Sequence, residues 1–190
     1  MTVVQENFEH LRPEACALLV IDIQERLMPV IADHLRVTER SVLLIRAARE
    51  LGMPVLATTQ YVERIGPLLP PVRTALGEVA SLDKLEFDCL ANPGIVEACR
   101  GLPRQVNTLI VCGVETHICV YQTVLGGLKS GYRMWVAADA VSSRTKENHA
   151  IGLDCISRAG GLVGSSELLI YDLLGRAGTP AFKAMLPLLK

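Results

Sequence analysis

The chain predicts an α/β fold, a three-layer α/β/α sandwich on a mostly parallel central sheet with Rossmann-like topology. Three observations carry that expectation. Short runs at 17–21, 54–58, 109–112 and 134–137 are apolar or β-branched without alternation, as strands covered on both faces are. Segments with apolar residues at helical spacing separate them, and crossovers of this kind are right-handed almost without exception, which distributes helices to both sides of the sheet. Polar side chains stand at the carboxyl ends of the runs, where open α/β sheets bind their ligands.

Composition narrows the class of function. Half of the 190 residues are hydrophobic and the formal net charge is -1. That length suffices for one sizeable core, and no linker-like stretch divides it. A single domain over 1–190 is expected, with its core at about 17–174 and a C-terminal helix at about 179–190. The charge balance and the lack of a clustered basic face argue against nucleic acid or membrane as partner and for a small-molecule substrate. No apolar run is long enough to span a bilayer, and the polar, acidic start lacks a basic-then-apolar signal, so a cytoplasmic protein is expected. The six cysteines, Cys16, Cys89, Cys99, Cys112, Cys119 and Cys155, form no C-x-x-C pair. Free thiols in a reducing compartment are the simpler account than a disulfide framework or a zinc site.

The first strand, 17–21, stops at Asp22. Thr38 caps a helix that turns Val42, Leu43, Ile45, Ala48 and Leu51 toward the sheet and ends at Gly52. The second strand, 54–58, delivers Thr59, Gln60 and Tyr61 to the same edge of the sheet as Asp22, which makes Gln60 and Tyr61 pocket candidates. From 62 to 80 the chain carries Gly66, Pro67, Pro70, Pro71 and Gly77, and this punctuation predicts a surface excursion without regular structure. Lys84, among Asp83, Glu86 and Asp88, falls in a loop ahead of a helix that Asn92 and Pro93 open and Gly101 closes. Its bland account is a solvated surface charge.

The stretch 109–120 reads as a buried strand turning sharply at Gly113 into a helix. The helix buries Val120, Val124, Leu125 and Leu128 and ends at Gly131. Cys119 then sits near the first helical turn, where unpaired N–H groups and the dipole favour thiolate over thiol; a small buried hydrophobe is the plain alternative. A strand at 134–137 ends near Asp139, a helix covers 145–159, and a short strand covers 161–164. Ser165 or Ser166 caps a helix to Leu174. A terminal helix from Thr179 carries Phe182, Met185, Leu186 and Leu189, and docks on this fold or on a second subunit. Asp22, Lys84 and Cys119 can therefore meet at one mouth of the sheet. No G-x-G-x-x-G follows the first strand and no G-x-x-x-x-G-K-[ST] occurs, so nucleotide binding has little support. His10, His34, His117 and His149 are scattered, and surface or structural roles are expected for them.

Taken together, Leu19-Val20-Ile21-Asp22-Ile23-Gln24, Lys84 with Phe87, Cys112-Gly113-Val114-Glu115-Thr116-His117-Ile118-Cys119-Val120, and Val136-Ala137-Ala138-Asp139-Ala140 with Ser142-Ser143 resemble the isochorismatase-like cysteine hydrolase superfamily. Thr58-Thr59-Gln60-Tyr61 and residues 182–190 look closest to the isochorismatase-domain-containing proteins of uncharacterised substrate. The resemblance implies a catalytic triad of Asp22, Lys84 and Cys119, a cis peptide between Val114 and Glu115, and an oxyanion hole made by the backbone N–H groups of Glu115 and Cys119. Gln24, Gln60, Tyr61, Phe87 and Thr116 are the candidate substrate contacts. Relatives of the nicotinamidase type carry an Asp-x-His pair and a further His as a metal site where this chain has Thr58-Thr59-Gln60-Tyr61, so neither metal nor other cofactor is expected. Family members are commonly dimers or larger rings, and a homo-oligomer is expected here.

The implied chemistry is amidase-type. Cys119 attacks a carbonyl, Asp22 serves as acid and base, and Lys84 stabilises the thiolate, whether that anion exists at rest or forms on attack. Two alternatives stand beside it: vinyl-ether hydrolysis of isochorismate, and a weakly active binding or interaction module on the same fold.

Overall fold

The computed structural model of the protein describes residues 9–189. Six strands form one all-parallel sheet: β1 (Cys16–Ile21), β2 (Val55–Gln60), β3 (Ser81–Lys84), β4 (Thr108–Val114), β5 (Arg133–Ser142) and β6 (Leu162–Gly164). Their order across the sheet is β3-β2-β1-β4-β5-β6, so the direction of winding reverses between β1 and β4. Eight α-helices occur among the described residues: α1 (His34–Glu50), α2 (Val62–Ile65), α3 (Pro70–Leu76), α4 (Pro93–Arg100), α5 (Tyr121–Lys129), α6 (Lys146–Arg158), α7 (Ser166–Leu174) and α8 (Pro180–Met185).

Alternation of side chains along the central strands divides the core into two layers. Leu18, Val20, Ile110 and Cys112 pack with Ile45 of α1, Val72 of α3, Leu169 of α7 and Met185 of α8. Ala17, Leu19, Ile21, Leu109 and Val111 pack on the other face with Ile95 of α4, Val124 of α5 and Ile156 of α6. Both strands are buried along their whole lengths, which accounts for their unbroken apolar text. Each fully buried Leu or Ile contributes roughly 1.5–3 kcal/mol relative to exposure. At the reversal the strands come very close: Gly113 has φ 117°, and a Cβ on it would lie 1.9 Å from the Ile21 carbonyl oxygen. Only glycine fits there.

Several expectations need correction. α1 starts at His34, and Thr38 is inside it with its hydroxyl donating to the His34 carbonyl at 2.8 Å; the residue before α1 is Asp33. The 62–80 segment is not an irregular excursion. Pro70 and Pro71 open α3, where a missing N–H costs nothing, and Gly66 and Gly77 end α2 and α3 with positive φ. Lys84 lies not in a loop but at the end of β3, paired with Gln60 of β2. β3 lies at the sheet's edge and alternates between exposed and partly covered residues, so it lacks the apolar run that marks the inner strands. β5 runs on to Ser142 past a register shift opposite Val111 and Gly113. α8 ends at Met185 and passes into a 3-10 turn, Leu186–Leu188, that contains Pro187. It packs on this fold, with Met185 buried in the layer of α1. Lys190 and residues 1–8 of the expected single domain lie outside the described residues.

Candidate active site

Asp22 follows β1 directly, in the left-handed conformation (φ 54°) and with no exposed surface. Its N–H donates to the Thr58 carbonyl at 3.2 Å, which ties the turn to β2. One carboxylate oxygen, Oδ1, accepts the Thr58 hydroxyl at 2.7 Å, and the other, Oδ2, accepts Lys84 Nζ at 2.7 Å. Both side chains of this ion pair are 0% exposed. Burial pulls the Lys84 ammonium down, but the Asp22 charge, together with the hydrogen bond to it, outweighs burial and holds the group above its ordinary value.

Cys119 faces the same pair. It sits in a π-helical turn, Thr116–Val120, which precedes α5, and short π segments recur at functional sites. The residue is buried, with 6% of its surface exposed. Burial pushes its thiol up to about 12, Asp22 adds to the rise, and Lys84 opposes it. Burial and the Asp22 carboxylate thus act against the thiolate that Lys84 and the helix terminus favour.

The residues around the nucleophile are held from several sides. The peptide between Val114 and Glu115 is cis. The Glu115 carbonyl accepts from the N–H groups of Ile118 and Val120 at 3.1 and 3.2 Å, and its carboxylate accepts from the Arg144 N–H at 3.0 Å and Nε at 3.2 Å. Its own N–H donates to no acceptor among the described residues. Thr116 is buried with its hydroxyl 2.9 Å from His149 Nδ1. His117 Nδ1 lies 2.9 Å from the Ser143 hydroxyl. Gly152 of α6 abuts this turn so closely that a Cβ would stand 2.9 Å from the His117 nitrogen. Of the other histidines, His10 pairs with Asp172 on the surface and His34 begins α1.

The remaining candidates divide. Gln60 Oε1 accepts from Lys84 Nζ at 2.6 Å, and its Nε2 donates to the Leu85 carbonyl at 2.9 Å. Gln24, fully buried, uses its amide on the backbone of Gln60 and on the Gly66 carbonyl. Tyr61 and Phe87 are 40% and 52% exposed, on the segments that leave β2 and β3. The structure thus brings Asp22, Lys84, Gln60 and Cys119 together, engages Gln24 and Thr116 internally, and leaves Tyr61 and Phe87 on the outside. Sequence reasoning missed Thr58 and Cys89. Cys89 is buried against Thr58 at 4.0 Å, with its thiol pushed up to about 12 by burial. Thr58 carried a signal, its place two residues before Gln60 on one strand; Cys89 carried none. Among the described residues no group of three His, Cys, Asp or Glu side chains is arranged to hold a metal ion, and no helix is long and apolar enough to cross a membrane.

Known proteins share the family and the fold of this chain. A family profile described as Isochorismatase domain matches residues 16–167. The secreted isochorismatase effector Isc1 of Phytophthora sojae (strain P6497) is 34% identical over 183 residues, 95% of this chain and 87% of its own. Isochorismatase domain-containing protein 2A of Mus musculus is 30% identical over 190 residues, 100% of this chain and 90% of its own. Among solved structures, the MAR1 ribonuclease from Caenorhabditis elegans superposes with a TM-score of 0.89 at 30% identity, over 95% of this chain and 92% of that one.

Proposed function

The chain belongs to the isochorismatase family, and from that premise we propose that it is a metal-independent cysteine hydrolase acting on an amide-type C–N bond of a small molecule. The observation that carries the reading is the fully buried Asp22–Lys84 pair, 2.7 Å apart, facing the Cys119 thiol. Buried ion pairs are poor stabilisers compared with apolar packing. A buried carboxylate and ammonium gathered beside a nucleophile are what catalysis needs.

In the proposed cycle the Cys119 sulfur attacks the substrate carbonyl carbon as its proton passes to Asp22. Lys84 offsets the negative charge on sulfur as it forms, and that charge passes to the carbonyl oxygen as the C–S bond closes. The carbonyl oxygen, now anionic, takes the backbone N–H groups of Glu115 and Cys119. Asp22 returns the proton to the leaving amine as the C–N bond breaks, which leaves a thioester. Water then attacks with Asp22 as base, and the acid departs as the proton returns to sulfur. A thiol protonated at rest suits this order, because the anion forms only when a substrate has displaced water. The same resting thiol favours a second reading, vinyl-ether hydrolysis in which Asp22 acts as acid and base without a covalent intermediate.

The experiment is a panel of small amides, with isochorismate included, run on the wild type and on Cys119→Ala, with intact mass taken during turnover. Amide hydrolysis abolished in Cys119→Ala, with an acyl mass on the wild type, supports the amidase. Hydrolysis undiminished in Cys119→Ala refutes it, and turnover of isochorismate alone with no adduct selects the second reading. The proposed compartment is cytosolic, in keeping with six free cysteines, although one relative bears the name of a secreted effector. The proposed assembly is a homo-oligomer, for which the exposed Leu168 and Tyr171 of α7 offer apolar surface.

A further inference from the structure

The strand order puts β2 between the two carriers of the ion pair. Lys84 ends β3 and Asp22 follows β1, so the lysine reaches its partner only by crossing β2. Two residues of β2 meet it there. Thr58 and Gln60 are two positions apart and so project to one side of the strand, while Thr59 between them turns to the other side and bonds Asp83 at 2.8 Å. Thr58 Oγ1 donates to Asp22 Oδ1 at 2.7 Å, and Gln60 Oε1 accepts from Lys84 Nζ at 2.6 Å. We propose that Thr58 and Gln60 are positioning residues that fix both ends of the Asp22–Lys84 pair, so that its remaining acceptor and donor capacity is aimed at Cys119. The proposal rests on the hydrolase reading of the site.

Hydrogen-bond capacity makes the case. An ammonium has three N–H donors. Asp22 Oδ2 takes one and Gln60 Oε1 takes a second, and tetrahedral geometry then sets the direction of the third. Without Gln60 the group rotates about its Cε–Nζ bond with a single anchor. Gln60 itself cannot turn away: Nε2 donates to the Leu85 carbonyl, while its backbone N–H and carbonyl are held by the amide of Gln24 at 2.7 and 3.1 Å. On the carboxylate side, the Thr58 hydroxyl donates to Oδ1 and so takes up part of the Asp22 charge. Gln60 therefore acts through the lysine and not on the substrate, and Gln24 holds Gln60 in place.

The charges that face the pair are few. Cys89 from the 3-10 turn Cys89–Ala91 and Cys119 from the π turn stand beside Lys84 and Asp22, and Glu86 and Asp88 on the chain leaving β3 also feel the ammonium. Loss of the Thr58 hydroxyl leaves Asp22 pressing harder on the sulfur. A glutamate at position 60 neutralises the ammonium that supports the thiolate. Both changes make the thiolate harder to form.

The test is the alkylation of Cys119 by iodoacetamide between pH 7 and 10, followed peptide by peptide in the mass spectrometer. The rate follows the thiolate fraction, which rises about tenfold per pH unit below the thiol pKa. Thr58→Val is expected to slow the reaction at least about 3-fold at fixed pH and Gln60→Glu about 10-fold, displacements of roughly half and one pH unit. Thr58→Ser restores the wild-type rate. A merely structural role predicts the opposite sign, since loosening exposes a buried sulfur and speeds its alkylation. Rates in Thr58→Val and Gln60→Glu equal to or above wild type therefore overturn the proposal. Lys84→Met separates the two levels of argument. If it slows alkylation while the β2 variants do not, the positioning role alone falls; if it too has no effect, the reading of the site falls with it.

Discussion

Replacing Lys84 by methionine removes the ammonium, keeps much of the apolar stem, and leaves the Asp22 carboxylate buried without its counter-ion. Both partners are 0% exposed at 2.7 Å, so the full cost of an uncompensated buried charge applies, about 3–5 kcal/mol. Set against a total stability of roughly 5–15 kcal/mol, this is a large fraction. With a urea slope of about 2 kcal/mol per molar, the unfolding midpoint should fall by about 1.5–2.5 M. The double variant Asp22→Leu with Lys84→Met removes both charges, and such replacements of buried pairs range from neutral to stabilising by about 1–4 kcal/mol. Its midpoint should recover to near wild type or above, giving a coupling energy of several kcal/mol in the cycle. The pH dependence has a definite sign. The folded-state value of Lys84 lies above its ordinary 10.5, so its contribution is complete below about pH 10.5 and is lost as pH rises through the folded value. The gap between wild type and Lys84→Met should be constant from pH 6 to 9. A single variant within about 0.3 M urea of wild type, or a double variant whose loss is the sum of the two singles, refutes the argument that this pair is dry and mutually dependent.

Two further outcomes follow from the same geometry. Gly152→Ala drives a Cβ to 2.9 Å from the His117 nitrogen and 3.0 Å from the Thr116 carbonyl carbon, so the nucleophile turn must shift; kcat on any amide substrate found should drop at least about tenfold for about 1–3 kcal/mol of stability, and an unchanged kcat shows that the turn tolerates displacement. Raised thiols make the protein alkali-sensitive: Cys89, Cys112 and Cys119 move from 9.0 to about 12 and Cys16 to about 11. Folded values above unfolded ones mean that this stability is present below pH 9 and is lost as pH rises toward the folded values. The four together should lower stability by several kcal/mol by pH 10. A urea midpoint that stays flat between pH 8 and 10 contradicts it.

How much of this was legible in the sequence depends on where each residue lies in the sheet. Asp22 and Cys119 were readable because they bracket the two innermost strands, whose burial on both faces writes an unbroken apolar run ending at the site. Lys84 was not. Its strand is at the edge, so Ser81-Leu82-Asp83-Lys84 is too short and polar to show an apolar run, and only the family resemblance assigned it a catalytic role. Thr58 and Gln60 could not be read at all as partners of the ion pair, because their contact with it depends on β2 lying between β3 and β1. Strand order is set by crossovers and by packing between distant segments, which local periodicity does not encode.

The ionisation of Cys119 shows the same limit in electrostatic form. From the sequence one sees a thiol at the start of a helix, and that local fact favours the anion. Folding adds two distant contributions of opposite sign, the dry wall of the second core layer and the Asp22 charge, and they outweigh the first. A resting thiol is then the consequence of the same burial that makes Lys84 reach for Asp22. Were the thiolate to persist at rest in this site, the carboxylate would face a second buried anion with one ammonium between them. In the proposed cycle a proton on sulfur leaves the site with a single compensated pair until a carbonyl oxygen arrives to share the charge with the backbone N–H groups of Glu115 and Cys119. In the proposed cycle, nucleophile activation and oxyanion stabilisation are therefore one electrostatic event, and neither is expected to survive the loss of Lys84.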